Sequence, residues 1–103
     1  MTTTIDASDV KKLVVACDAG MGSSVMLASM LRKQLKASAV VVEHTPVSAI
    51  PADADVVICH RGLADRARIG APDTVIVPIQ VFIGDPAAAA VVKAIQSGGE
   101  IRG

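Results

Sequence analysis

The sequence predicts one α/β domain: a four-stranded parallel sheet with helices on both faces and a phosphate-type loop after the first strand. Three observations carry this. Short β-branched or aliphatic runs recur at residues 13–16, 39–42, 55–59 and 74–77. The runs are continuously apolar, as in strands buried on both faces, instead of alternating. Helix-compatible segments follow the first, third and fourth runs, so strand and helix take turns along the chain.

Taken in order, residues 1–10 are polar, show no period and read as a flexible leader. Leu13-Val14-Val15-Ala16 is the first strand, stopped by Cys17-Asp18-Ala19-Gly20-Met21-Gly22. Ser23 and Ser24 then open a helix whose apolar stripe runs through Val25, Met26, Leu27, Met30, Leu31 and Leu35, with Arg32, Lys33 and Lys36 towards its end. Cap residues at the start and cations at the finish suit the helix dipole. Residues 39–42 form the second strand, followed by a polar connection from Glu43 to Ala54 in which His44 reads as a solvated loop residue.

Residues 55–59 form the third strand, and His60 to Ile69 a helix with Leu63, Ala64, Ala67 and Ile69 inward and Arg61, Asp65, Arg66 and Arg68 outward. Gly70 and Pro72 stop it. After the fourth strand, Asp85-Pro86 opens a last helix that ends before Gly98-Gly99. The folded domain is expected over residues 11–97, with 98–103 a C-terminal tail.

Composition removes several function classes. Ten Lys and Arg balance ten Asp and Glu, and one Phe is the whole aromatic content. Without a global positive field or stacking rings, nucleic acid is not an expected partner. The apolar runs are far shorter than a membrane span, so no direct membrane insertion is expected. The opening Met1-Thr2-Thr3-Thr4-Ile5-Asp6 carries no positive and then apolar signal segment, which points to the cytoplasm and to two reduced cysteines. Two His and two Cys without metal spacing predict no metal site, and no cofactor is expected.

The chemistry concentrates where the first strand meets its helix. Ligands of open α/β sheets bind outside the carboxyl ends of the strands, and helix N-termini attract anions. In the loop, Gly20 and Gly22 let backbone N–H groups converge, and the hydroxyls of Ser23 and Ser24 can cap the helix or bind an anion. Asp18, Ala19, Gly20, Met21, Gly22, Ser23 and Ser24 are thus the candidate phosphate-binding residues. Neither nucleotide motif fits: a dinucleotide fingerprint would need a small residue at Val25, and no Lys-Ser or Lys-Thr pair closes the loop. Cys17 stands at the mouth of this loop. Backbone donors and a helix dipole favour a thiolate, the nucleophilic form, and the same donors would hold a phosphoryl group once transferred.

At this point the residues resemble a known family. Val15 to Ser24, VACDAGMGSS, is similar to the active-site segment of the mannitol-type enzyme IIB domains of the bacterial sugar phosphotransferase system. Asp55 to Ala67, DVVICHRGLADRA, resembles that family's second recognisable stretch. The resemblance implies a IIB-like phosphoryl-carrier domain. It makes Cys17 the catalytic residue, which takes phosphate from a phosphohistidine on a IIA protein and passes it to a sugar or polyol held by a membrane IIC protein. It also implies that the phosphate sits among the loop amides with Ser24 as a hydroxyl donor. His60 and Arg61 end the third strand on the loop's edge and are candidates for electrostatic support. Val25-Met26-Leu27-Ala28, Cys59 and residues 79–86 depart from the mannitol pattern, so the sugar or polyol is left open.

Two rivals share parts of the pattern. A low-molecular-weight tyrosine phosphatase also uses a Cys over a phosphate loop, but it needs an Arg six residues later, where Ser23 stands. A thiol redox or anion-sensing domain would need Cys17 and Cys59 to meet across neighbouring strands.

Overall fold

A computed structural model describes residues 4–17, 22–38, 40–72, 74–80 and 86–102. The central sheet contains β2 (Lys12–Cys17), β3 (Val41–Pro46), β4 (Val56–His60) and β5 (Val75–Ile79), after a short β1 (Thr4–Asp6). Its order is β3-β2-β4-β5 and every neighbouring pair is parallel. The expected four-stranded parallel sheet is therefore present.

Side chains of successive strand residues point to opposite faces, which sorts the runs into two cores. Leu13, Val15, Val56, Ile58, Val75 and Val77 face one side, where helix α1 (Gly22–Gln34) adds Leu27, Ala28, Leu31 and Leu35 and helix α3 (Pro86–Ser97) adds Ala88, Val91 and Val92. Val14, Ala16, Val57, Cys59 and Ile76 face the other, under Ala64 and Ala67 of helix α2 (Ala64–Gly70) and Val47 of the turn after β3. Most of these small aliphatic side chains are fully buried. That is how a chain with one aromatic residue closes two layers of helix onto a sheet.

Several details differ from the sequence reading. On α1, Val25 and Met26 are 48% and 56% exposed, because burial follows Leu27, Ala28, Leu31 and Leu35 and both residues fall off that stripe. The helix starts at Gly22, which puts Ser23 and Ser24 inside its first turn. On α2, Ile69 is 82% exposed instead of inward; His60 closes β4, residues 61–63 make a 3-10 turn, and only Ala64 and Ala67 of the short helix reach the sheet.

β3 continues through Glu43, His44 and Thr45 to Pro46, so the first third of the expected polar connection is strand. An edge strand tolerates polar side chains that an apolar run would exclude. At the far end, Gly98 and Gly99 turn the chain with φ of 84° and 142°. The segment after them, β6 (Glu100–Arg102), pairs antiparallel with β1, Ile5 opposite Ile101. Residues 4–6 and 100–102, read as parts of a leader and a tail, thus form a second, two-stranded sheet. Three residues are too few to display a period, and what holds them is burial: Ile101, Ala7 and Val10 join the α1 and α3 core.

Candidate active site

β2 is the strand at which the chain reverses its course across the sheet: β3 lies on one side of it and β4 on the other. Such a reversal opens a crevice at the carboxyl ends of the strands. Cys17 is the last residue of β2 and is 1% exposed. Residues 18–21 of the expected phosphate loop lie outside the described residues, as do the side chains of Ser23 and Ser24. The chain resumes at Gly22 as α1, so the thiol and a helix N-terminus are separated by four residues.

The register explains what surrounds the sulfur. Val15 pairs with His44 in the parallel β2·β3 ladder, so the two point to one face, and Cys17, two residues beyond Val15, points to that face as well. The imidazole and the thiol become diagonal neighbours, and Cys17 Sγ lies 3.0 Å from His44 Nε2. The sequence pattern predicts a solvated loop at His44, and the structure places it in β3 instead. Its signal was the alternation itself: Val42 is buried, and a strand carried two residues further places His44 on the same face.

On the other side of β2, Ala16 pairs with Cys59. The next step of that register brings His60, the last residue of β4, to the same edge as Cys17. The His60 side chain caps the following turn, with the Gly62 N–H donating to its Nδ1 at 3.1 Å. That bond puts the proton of the neutral ring on Nε2. A Cβ on Gly62 would come within 3.3 Å of the same nitrogen, so glycine permits the close approach. Arg61 is exposed in the turn.

The two cysteines part company here. Cys59 faces the α2 layer, fully buried, and burial pushes its thiol up to about 11. With Ala16 directly beside Cys59, Cys17 points to the opposite face, so the disulfide required by a redox pair is not available. Both thiols are free. Among the described residues, no group of three or more His, Cys, Asp or Glu side chains could hold a metal ion.

The stretch of sequence that builds this sheet and its helices matches one family. The family model for the lactose/cellobiose-specific IIB subunit of the PTS system covers residues 12–94, nearly the whole of the sheet and its helices. The chain belongs to the PTS IIB family. Curated relatives agree at this level. It is 43% identical over 79 residues to the "PTS system mannitol-specific EIICB component" of Geobacillus stearothermophilus, covering 75% of this chain and 17% of that protein. It is 44% identical over 81 residues to the mannitol-specific EIICBA component of Vibrio cholerae, 77% of this chain and 12% of that protein. The corresponding Escherichia coli K12 protein is 41% identical over 83 residues, 78% of this chain and 13% of its own length. The chain thus spans less than a fifth of the length of these relatives. As for a span, no described helix is long and apolar enough to cross a membrane.

Proposed function

We propose that this IIB-family chain is a cysteine phosphoryl carrier of a sugar phosphotransferase system. The observation that carries the reading is the position of Cys17, last residue of the strand at the topological reversal and four residues ahead of α1. A phosphohistidine of a IIA protein is the donor. Its N–P bond breaks, with the electron pair returning to the donor imidazole, and a bond forms from phosphorus to Cys17 Sγ. Asp18, Ala19, Gly20, Met21, Gly22, Ser23 and Ser24 form the cradle, in which backbone N–H groups and the start of α1 meet the added negative charge.

His60 and Arg61, at the same edge, add electrostatic support, Arg61 through its charge and His60 through the N–H at Nε2. The phosphoryl group then passes to a hydroxyl of a sugar or polyol held by a membrane IIC protein: the S–P bond breaks with its electron pair on sulfur, the O–P bond forms, and the hydroxyl proton is released to solvent. The relatives' names, EIICB and EIICBA, support IIC and IIA components as partners, and their mannitol wording favours a mannitol-type polyol over a disaccharide. The thiol phosphate needs no metal or organic cofactor.

Incubation with a phosphorylated IIA protein tests the reading. One phosphate per chain should appear by mass and as a phosphocysteine resonance in the phosphorus spectrum, and Cys17→Ser should remove it. Label that persists in the serine variant would show that another residue is the nucleophile.

A further inference from the structure

The described part of the site contains a contact that the carrier reading does not use: His44 Nε2 at 3.0 Å from Cys17 Sγ. We propose that His44 is the proton acceptor for Cys17, a catalytic residue that takes the thiol proton as the sulfur attacks phosphorus. The inference rests on Cys17 as the nucleophile. In the resting site Sγ–H donates to Nε2. During transfer the S–H bond breaks, its proton goes to Nε2, the S–P bond forms, and the donor's N–P bond breaks with its electron pair returning to the donor nitrogen. The product is a phosphocysteine beside an imidazolium, so the proton that left the sulfur stays in the site as a positive charge against the incoming phosphate. When the phosphoryl group departs, the sulfur leaves as thiolate and Nε2 returns the proton.

Placement favours this role over simple packing. Val42, Val15 and Leu13 on the same face are aliphatic and buried, whereas the strand turns polar at the one position diagonal to the thiol. Arg32 of α1 donates from Nε to the Val42 carbonyl at 3.0 Å, holding a cation near this stretch of β3. Glu43 occupies the other face of β3 and lies 3.6 Å from Lys12 Nζ. His60 stands across Cys17 on β4 with Nδ1 engaged by Gly62.

A positioned general base usually contributes on the order of a hundredfold or more, most where the group it serves carries its proton and least where hydroxide takes that proton instead. The test is single-turnover transfer from a phosphorylated IIA protein to wild type, His44→Gln, His44→Asn and Cys17→Ser between about pH 6 and pH 10. Either amide variant should react on the order of a hundredfold more slowly near pH 7, with the deficit shrinking as the pH rises and hydroxide replaces the missing base. Urea midpoints confirm that the compared variants are folded, and the shorter asparagine stands in if glutamine disturbs the strand. Equal rates at every pH, or one constant deficit across the range, would overturn the role of His44 while leaving Cys17 as nucleophile. Failure of wild type to take phosphate, or phosphate on Cys17→Ser, would overturn the carrier reading itself and this inference with it.

Discussion

Ala16 of β2 lies directly beside Cys59 of β4, and this one pairing turns the two thiols to opposite faces of the sheet. Cys59 therefore lies among Val57, Ala64 and Ala67 as a small apolar side chain. Mild oxidation of the folded protein should leave two free thiols and no intramolecular disulfide, by thiol titration before and after treatment.

Burial of Cys59 also makes a pH prediction. Its folded value, about 11, lies above the ordinary 9.0, so the unfolded chain gives up the proton first as pH rises. The stabilising contribution is fully present below about 9 and is lost between 9 and about 11. Urea midpoints of wild type should fall more steeply across that window than those of Cys59→Ala. Parallel curves would show that the thiol is not held neutral by the fold.

Lys12 Nζ sits 2.7 Å from Asp53 Oδ2, and the ammonium holds that carboxyl below its usual range. A lowered value means stability present above the ordinary carboxylate value and lost as pH falls through the folded one. Both groups are solvent-screened, so Asp53→Asn should lower the urea midpoint only slightly at neutral pH. The difference from wild type should vanish near pH 2 and shrink in about 1 M salt.

Asp55 ties two strands together at their amino ends. Its Oδ2 accepts from the backbone N–H groups of Lys11 and Lys12 at 2.8 and 2.9 Å, and its own N–H donates to the Lys12 carbonyl. Asp55→Ala leaves two backbone donors without their acceptor and should cost about 1–3 kcal/mol in denaturant unfolding. A loss of only a few tenths would mean that solvent replaces the carboxylate.

Ile101 decides between a tail and a structural strand. It is 3% exposed and lies opposite Ile5. Ile101→Ala should therefore cost about 2–4 kcal/mol, where a tail residue would cost almost nothing.

The central sheet was legible because Leu13 to Ala16 and Val56 to Cys59 are buried on both sides, and a strand buried on both sides is written as an unbroken apolar run. The helices were legible to the extent that they present stripes. Leu27, Leu31 and Leu35 mark α1 correctly, while Val25 and Met26 look identical in the text and differ only in angle around the axis. His44 was missed for the opposite reason: on an edge strand a polar residue at core parity reads as loop, and only the register with Val15 shows that it faces the thiol. The β1·β6 pair left no local mark at all, since its partners are separated by nearly the whole chain. Cys17 stood out without any of this, because a cysteine between a strand and a glycine-rich helix start is an unusual composition with a chemical reason.

The pairing of Thr4 with Arg102 has a mechanical corollary. Any polypeptide joined ahead of Thr4 and any joined behind Arg102 would leave the domain side by side, through a single doorway. The ribbon leads through residues 7–11 into the first residue of β2, whereas Cys17 is its last, about 16 Å further along the strand. A body suspended from one point pivots easily, and here the pivot and the sulfur belong to opposite ends of the same strand. Such a pivot would carry the thiol edge through an arc with the fold itself unchanged, the displacement that the proposed transfer between two partner proteins calls for.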